Sequence, residues 1–355
     1  MKLIIQIPCF DEAEGLPLTL AALPRAVAGL DVLEYLVVDD GSTHGTGEIA
    51  RQHGAQHVVR HPSNRGLVAA FMTGIASILA LGADAIVTID GDNQYDGLDI
   101  PALVAPVRDG IADYALGVRP LHDRSFFPLW KYVLTRLGTT LARLLSGVPT
   151  DDAPSGLRAY SAHVARRLRV HGNYSYTMET LVLAGSQRWR MASVPIRVHR
   201  VTRPSRLMRS VSEYICKSTL ALLRGVALYR PRRAWSLLAV AGLLPMLAVG
   251  ICDTVGVVGS GWLRWAVGSG LGGFAVGAVA LWRVRIRAAY AFSADGSETL
   301  QPQLASKAIV GTDPQRGDDL GGSTGNQEKP LSDPHPVAAI GMPFATAVSE
   351  HRASG

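Results

Sequence analysis

Cysteine is scarce in this chain. The three present, Cys9, Cys216 and Cys252, are an odd number, far apart and without CxxC spacing. That excludes a disulfide scaffold and disfavours a thiolate metal site or redox pair. It also suits a reducing cytosolic face for the soluble part. Aromatic residues make up only 6%, too few for a protein that stacks single-stranded bases, despite a formal net charge of +6. Charged residues reach 18%, below the roughly 25% of an average soluble domain. No GxGxxG follows the first apolar run and no GxxxxGKS or GxxxxGKT occurs, which disfavours dinucleotide-linked oxidoreduction and P-loop chemistry. The apolar run Leu3–Ile7 ends at Pro8 and is too short for a signal peptide. It reads as a first buried strand.

Apolar residues are abundant instead, at 48% of 355 residues, with a mean hydropathy of +0.17. Disorder along the whole chain is thereby excluded, and the length suits one large domain plus extras. The excess is uneven. Residues 1–206 read as an alternating strand and helix domain, and residues 207–233 as a basic amphipathic juxtamembrane segment. Residues 234–282 hold two uncharged stretches, about 234–252 and 265–282. At about 1.5 Å per residue, each approaches the thickness of a bilayer's hydrocarbon core. Trp235, Trp262, Trp265 and Trp282 stand near their ends, as interfacial aromatics do. Arg230, Arg232 and Arg233 precede the first stretch, and Arg283, Arg285 and Arg287 follow the second. The expectation is an integral membrane protein whose two spans form a hairpin, with the catalytic domain and C-terminal tail both cytoplasmic. Gly268/Gly272 and Gly273/Gly277 offer small-residue pairs for close packing of the two helices. Residues 291–355, with four basic and eight acidic side chains, read as a disordered acidic tail. That net −4 leaves +10 on the first 290 residues. Ten arginines and lysines between Arg197 and Arg233 face only Glu213, and because this run leads into the first span, anionic membrane lipid is the expected partner rather than nucleic acid.

Within the first region the pattern predicts strands Leu3–Ile7, Glu34–Val38, His57–Val59, Ala85–Ile89 and Tyr114–Leu116. Helices are predicted near 16–28, 46–53, 67–81 and 100–109. Such alternation implies a doubly wound parallel sheet, with ligands beyond the carboxyl ends of the strands. Acidic motifs fall at three of those ends: Pro8-Cys9-Phe10-Asp11-Glu12, Asp39-Asp40-Gly41-Ser42 and Asp90-Gly91-Asp92. Two carboxylates one residue apart, with Gly91 letting the chain turn, can reach one hard divalent cation. Asp39 and Asp40 could accept hydrogen bonds from a base and a ribose. A further stripe from Phe126 to Leu144 recurs at helical spacing with Lys131, Arg136 and Arg143 between its apolar residues. Such a stripe either packs in a core or lies on a bilayer.

Taken in order, these motifs resemble glycosyltransferase family 2, most closely its polyprenol-phosphate sugar transferases of the dolichol-phosphate-mannose-synthase-like branch, over residues 3–210. Ile7–Glu12 resembles IPxYNE, with Phe10 and Asp11 replacing Tyr and Asn. Val38–Thr46 is similar to VDDGSTDGT, with His44 replacing an Asp. Asn64–Ala70 and Thr73-Gly74 resemble the following Gly-containing segment, and Ile89–Gln94 matches DxDxQ. Asp113–Gly117 with Arg119, and Asp152–Arg158, resemble the next two motifs. Val194–Ile196 and Arg200–Leu207 resemble the last, where Arg203-Pro204 and Arg206 depart from the usual Gly-containing pair and Lys.

The resemblance implies a GT-A fold: a Rossmann-like, doubly wound mixed α/β sheet followed by the two-helix membrane hairpin and the tail. It implies Mg2+ or Mn2+ held by Asp90, Asp92 and Gln94. Asp92, Arg119, Arg200 and Arg206 are the expected catalytic residues. Pro8, Phe10, Glu12, Asp39, Asp40, Asp90, Gly91, Arg158, Glu179 and Ser205 are the expected substrate contacts. Arg200 and Arg206 could instead meet lipid headgroups only, and Arg158 could be structural. The implied reaction is inverting transfer of one sugar from a UDP- or GDP-linked donor to a polyprenyl phosphate. The alternatives are another lipid-linked glycan acceptor, or a non-catalytic membrane scaffold that binds nucleotide sugars. Self-association is compatible with either.

Overall fold

The computed structural model describes residues 1–123, 125–172, 174–200, 210–255 and 260–297. Seven strands form one sheet: β1 (Lys2–Cys9), β2 (Val32–Asp39), β3 (His57–Arg60), β4 (Ala85–Thr88), β5 (Tyr114–Val118), β6 (Arg158–Ser161) and β7 (Met191–Pro195). Their order is β3-β2-β1-β4-β6-β5-β7. All neighbours run parallel except β6, which is antiparallel to both β4 and β5. Alternation along the chain alone implied an all-parallel sheet. The sheet is mixed, as in the GT-A fold that the family resemblance implied.

Successive strand residues point to opposite faces, and each face builds its own core. Leu3, Ile5 and Ile7 of β1 pack with α1 (Leu16–Ala22), α2 (Thr46–Gln52) and α4 (Ile100–Arg108). Ile4, Leu36 and Ile86 pack on the other face with α3 (Leu67–Ala80), α5 (Leu129–Ser146), α6 (Ala162–Ala165) and α7 (Tyr176–Gln187). The first helix is shorter than the expected 16–28. It stops at Leu23, whose extended backbone precedes Pro24, because proline disfavours the helical conformation of the residue before it.

Three helices follow: α8 (Val211–Tyr229), α9 (Pro231–Thr254) and α10 (Ser260–Ser297). Ser210 caps α8 by accepting from the Glu213 amide at 3.1 Å. Leu222 and Val226 of α8 are buried in the same core as Leu181 and Val182 of α7. Pro231–Val249 and Val267–Ile286 are each long and apolar enough to cross a membrane. Their close contact is made at glycines other than most of those expected. Gly268, Gly272 and Gly273 face open space, whereas a Cβ on Gly242 would lie 3.1 Å from the Gly270 carbonyl and one on Gly277 would overlap Leu238. The helix α10 also continues to Ser297, into the stretch expected to be disordered. The remainder of that tail, like Arg203-Pro204, Ser205 and Arg206, lies outside the described residues.

Candidate functional site

The strand directions explain how the site assembles. Strands β1, β2 and β4 end on one edge and deliver the loops that begin at Phe10, Asp40 and Ile89. Because β6 is antiparallel, with Arg158 opposite Thr88, it starts where β4 ends. The turn before β6, residues 152–157, therefore reaches the Asp90 side of the sheet. Parallel pairing of β7 with β5 sends residues 196–200 to the same edge. There the His199 amide donates to the Gln94 carbonyl at 2.9 Å, and Tyr95 bridges Val198.

Asp90 and Asp92 stand at the centre. Burial pushes the Asp90 carboxyl up to about 7, reinforced by the negative charge of Asp92. The Asp92 carboxylate accepts from the Gln94 amide at 3.2 Å and from Gln94 Nε2 at 2.6 Å. Gly156 lies against Asp90, where a Cβ would come within 2.7 Å of Oδ2. Its amide donates to the Tyr95 hydroxyl at 2.8 Å, and its carbonyl accepts from Tyr176 at 3.1 Å. Gly91 is similarly confined, since a Cβ would lie 2.7 Å from Cys9 Sγ. The donors offered by Asp90, Asp92 and Gln94 are all oxygens and suit a hard cation such as Mg2+ or Mn2+. Among the described residues, no group of three or more His, Cys, Asp or Glu is arranged to hold a metal. A cation beside these two carboxylates would therefore draw its other oxygens from a phosphate-bearing ligand and water, as Mg2+ commonly does. The absence of a Gly156 side chain is what lets the Asp90 carboxylate take this position.

Two predictions follow from this geometry. Gly156→Ala is expected to displace the Asp90 carboxylate and to reduce transfer by about tenfold or more, at unchanged helix content. Assay of the variant beside its circular dichroism checks this. The raised Asp90 group also has a pH consequence. In the unfolded chain an aspartate ionises near about 4, so between there and about 7 the folded protein holds a proton that the unfolded chain has released. This stabilisation is fully present below the lower value and is lost as pH rises through the upper one. Thermal unfolding in chelator should show stability declining over that window, with Asp90→Asn flattening the decline.

The acidic residues at the end of β2 divide their work. Asp39 is fully buried. Its Oδ1 accepts from the Ser42 amide at 2.9 Å, and its Oδ2 lies 3.5 Å from Arg60 Nε. Asp40 is buried and saturated, accepting from the amides of Arg65 and Gly66 and bonding to His61 Nδ1 at 2.6 Å. It thus organises the loop into α3, a positioning task. Asp11, with φ of 53°, accepts from the Thr43 amide and ties the loop after β1 to the loop after β2. That bond lowers its pKa. Pro8 is buried in β1, Glu12 is half-buried near Gly91, and Phe10 is 38% exposed.

The cationic side of the site is a cavity of about 300 Å3, lined by Gln94, Tyr95, Arg119, Phe127, Lys131, His199 and Arg200 among others. Arg119 reaches it while holding the fully buried Asp152 in a fork, with Nε to Oδ2 at 2.7 Å and NH2 to Oδ1 at 2.8 Å. Lys131 and Arg119 both approach the Phe127 ring, at 5.4 and 5.6 Å from its centroid. Burial, then Arg119, holds the Lys131 ammonium below its ordinary pKa. Among the described residues, no Asp or Glu lines this cavity.

Two expected substrate contacts sit elsewhere. Arg158 is fully buried and donates to the carbonyls of Ala153, Ser155 and Thr177 and to Thr180 Oγ1. It welds the turn before β6 to α7. Glu179 is also fully buried and accepts from the amides of His171 and Gly172 and from the Tyr229 hydroxyl. Asp152, Lys131 and His199 were not singled out from sequence as site residues. For Asp152 the signal was present, since it opens the motif that ends in Arg158.

The model of the family described as Glycosyl transferase family 2 matches residues 4–169. An undecaprenyl-phosphate mannosyltransferase from Micrococcus luteus is 30% identical over 206 residues, covering 55% of this chain and 83% of that protein. The chain belongs to glycosyltransferase family 2. A second relative, a UDP-N-acetylglucosamine–dolichyl-phosphate N-acetylglucosaminyltransferase from Methanococcus voltae, is 28% identical over 184 residues, 46% of this chain and 73% of that protein. Among solved structures, glucosyl-3-phosphoglycerate synthase from Mycobacterium tuberculosis is 21% identical with a TM-score of 0.48, over 63% of this chain and 78% of its own. The protein is a glycosyltransferase.

Proposed function

We propose that this glycosyltransferase moves one sugar from a nucleoside-diphosphate donor to a polyprenyl phosphate at the cytoplasmic face of a membrane, inverting the anomeric centre. The observation that carries the reading is the cavity beside Asp90 and Asp92, lined by Arg119, Lys131 and Arg200 and, among the described residues, by no carboxylate. A hydroxyl acceptor would need a general base to become a nucleophile. A phosphate acceptor is already anionic, so cations that bind and orient it are sufficient. Arg119 is held rigid by Asp152, and Arg200 is carried to the cavity by the pairing of residues 197–199 with 93–96. Asp90, Asp92 and Gln94 would hold a Mg2+ or Mn2+ ion, whose contribution is to neutralise charge growing on the departing nucleoside diphosphate. Direct displacement then gives a β-linked product from an α-linked donor.

The membrane assignment rests on α9, α10 and α5. Both flanks of the apolar pair are arginine-rich, which favours a hairpin with both ends cytoplasmic. On α5, Leu129, Trp130, Val133, Leu137 and Leu144 are exposed rather than packed. That favours an interfacial role over the core role left open by the sequence pattern. The relatives' names, which pair undecaprenyl and dolichyl phosphates with different sugars, support the acceptor class and leave the donor sugar to experiment.

Radiolabelled nucleotide sugars, supplied with polyprenyl phosphate and Mn2+, provide the test. A product whose sugar is bonded directly to the lipid phosphate is expected. A sugar attached to a glycan hydroxyl instead would overturn the acceptor assignment.

A further inference from the structure

We infer that Arg230 and Arg233, with Arg188 nearby, form a seat for the phosphate of an anionic phospholipid at the foot of α9, apart from the catalytic cavity. The three come from different elements. Arg188 caps the C-terminus of α7 with a left-handed φ of 56°, Arg230 follows α8, and Arg233 lies in the first turn of α9. Arg230 and Arg233 converge on the turn at Gly147, which ends α5, and Arg188 lies close enough for its charge to act on Arg230. A Cβ there would lie 3.2 Å from Arg230 NH1 and 3.2 Å from both terminal nitrogens of Arg233. On the other side, a Cβ on Gly185 would lie 2.8 Å from Arg230 NH2. Small residues on α5 and α7 thus make room for two guanidinium groups side by side.

Their neighbours show what is missing. Arg143 pairs with Asp151 and Arg190 with Asp113, but among the described residues no carboxylate pairs with Arg188, Arg230 or Arg233. Arg233 NH1 donates to the carbonyls of Leu144 and Leu145 at 3.0 Å, an ordinary way to finish a helix. That accounts for one arginine and not for the other two. Arg230 Nε is buried with no hydrogen-bond partner, an arrangement that costs free energy unless an acceptor arrives. Burial and the nearby Arg233 and Arg188 charges also depress the Arg230 pKa. An anion with several acceptor oxygens relieves both the repulsion and the orphaned donor.

Two features favour a phospholipid as its source. Arg230 directly precedes Pro231, where the first membrane-crossing stretch begins, so the cluster stands at headgroup level. The adjoining surface of α5 exposes Leu137, Leu141 and Leu144, which acyl chains would cover. This inference rests on the proposal that α9 enters a membrane. The site is distinct from the cavity, because Lys131 and Leu144 are thirteen residues apart on α5, about 20 Å along the helix.

The test uses the full chain in nanodiscs of phosphatidylcholine, alone or mixed with phosphatidylglycerol. Lipid retained after detergent extraction is counted by native mass spectrometry, and thermal unfolding is followed in parallel. The wild type is expected to retain phosphatidylglycerol and to unfold at a higher temperature when it is present. R230Q/R233Q should weaken that retention by roughly fivefold per arginine removed. R232Q, which removes an exposed charge two residues from Arg230, should retain the lipid as the wild type does. R230K/R233K, with the charge kept, guards against misreading a folding defect and should recover part of the retention. Equal retention by R230Q/R233Q and wild type would overturn the site. Stabilisation by inorganic phosphate in detergent, matching that by phosphatidylglycerol, would assign the seat to a soluble anion and overturn the lipid. Carbonate extraction of native membranes separates the two proposals: release of the wild type by carbonate condemns the spanning helices, whereas a retained protein indifferent to phosphatidylglycerol condemns only the seat.

Discussion

Asp92→Asn is expected to lower sugar transfer by about three orders of magnitude while leaving the fold intact. Asparagine keeps the shape of the side chain and can still accept from the Gln94 amide, now at 3.2 Å from Asp92 Oδ1. It removes one of only two carboxylates available to a divalent cation in the Asp90–Asp92 turn. Loss of one preorganised electrostatic contact to developing charge typically costs ~10²–10³ in rate, and weaker cation binding adds to that. The half-buried position of Asp92, at a turn rather than in the sheet, is why stability should change little. Steady-state kinetics with saturating donor and Mn2+, beside the thermal midpoint, measures both effects. A folded variant within tenfold of wild type would remove Asp92 from the catalytic centre.

Asp152→Asn should act mainly on stability, with an expected loss of about 3–5 kcal/mol, because it leaves Arg119 without the carboxylate that compensates it. Asp152 is fully buried and takes both terminal contacts of the Arg119 fork as well as the Arg119 amide. Arg119→Met should be costly for the converse reason, a buried carboxylate stripped of its partner. The double variant Arg119→Met/Asp152→Leu should be more stable than either single one, since an apolar pair carries no desolvation penalty. All three should be poor catalysts, because the cavity loses a fixed cation. Denaturant unfolding, with a double-mutant cycle closed by the Asp152→Leu single variant, separates the stability effect from the catalytic one. Additive losses in the double variant would mean that the two side chains do not act as a pair.

How far this was legible in the chain differs by element. Strands β1 to β5 were read close to their observed limits, because each is a run of apolar or β-branched residues bounded by turn residues. The strand β6, Arg-Ala-Tyr-Ser, carries no such signal. It opens with an arginine that is fully buried only because carbonyls from the 152–157 turn and α7 converge on it. Sequence reading assigned Arg158 and Glu179 to substrate by family likeness, yet both are enclosed by hydrogen bonds that local pattern does not show. In α9 and α10, Gly-rich sequence offers many small-residue pairs, and the rotation of the two helices selects Gly242 and Gly277 among them.

What the sequence determined by itself is the order of the first five strands and four helices, the acidic turns at strand ends, the family and the two apolar helices. These depend on residue type and short spacing, which a linear chain displays directly. What only the tertiary structure decided is which polar groups meet. The antiparallel entry of β6 brings Gly156 to Asp90 and Asp152 to Arg119, and the C-terminal end of α5 gathers Arg230 and Arg233 from the junction of α8 and α9. Such contacts join residues tens of positions apart, so their energies depend on register and burial rather than on neighbours in the chain.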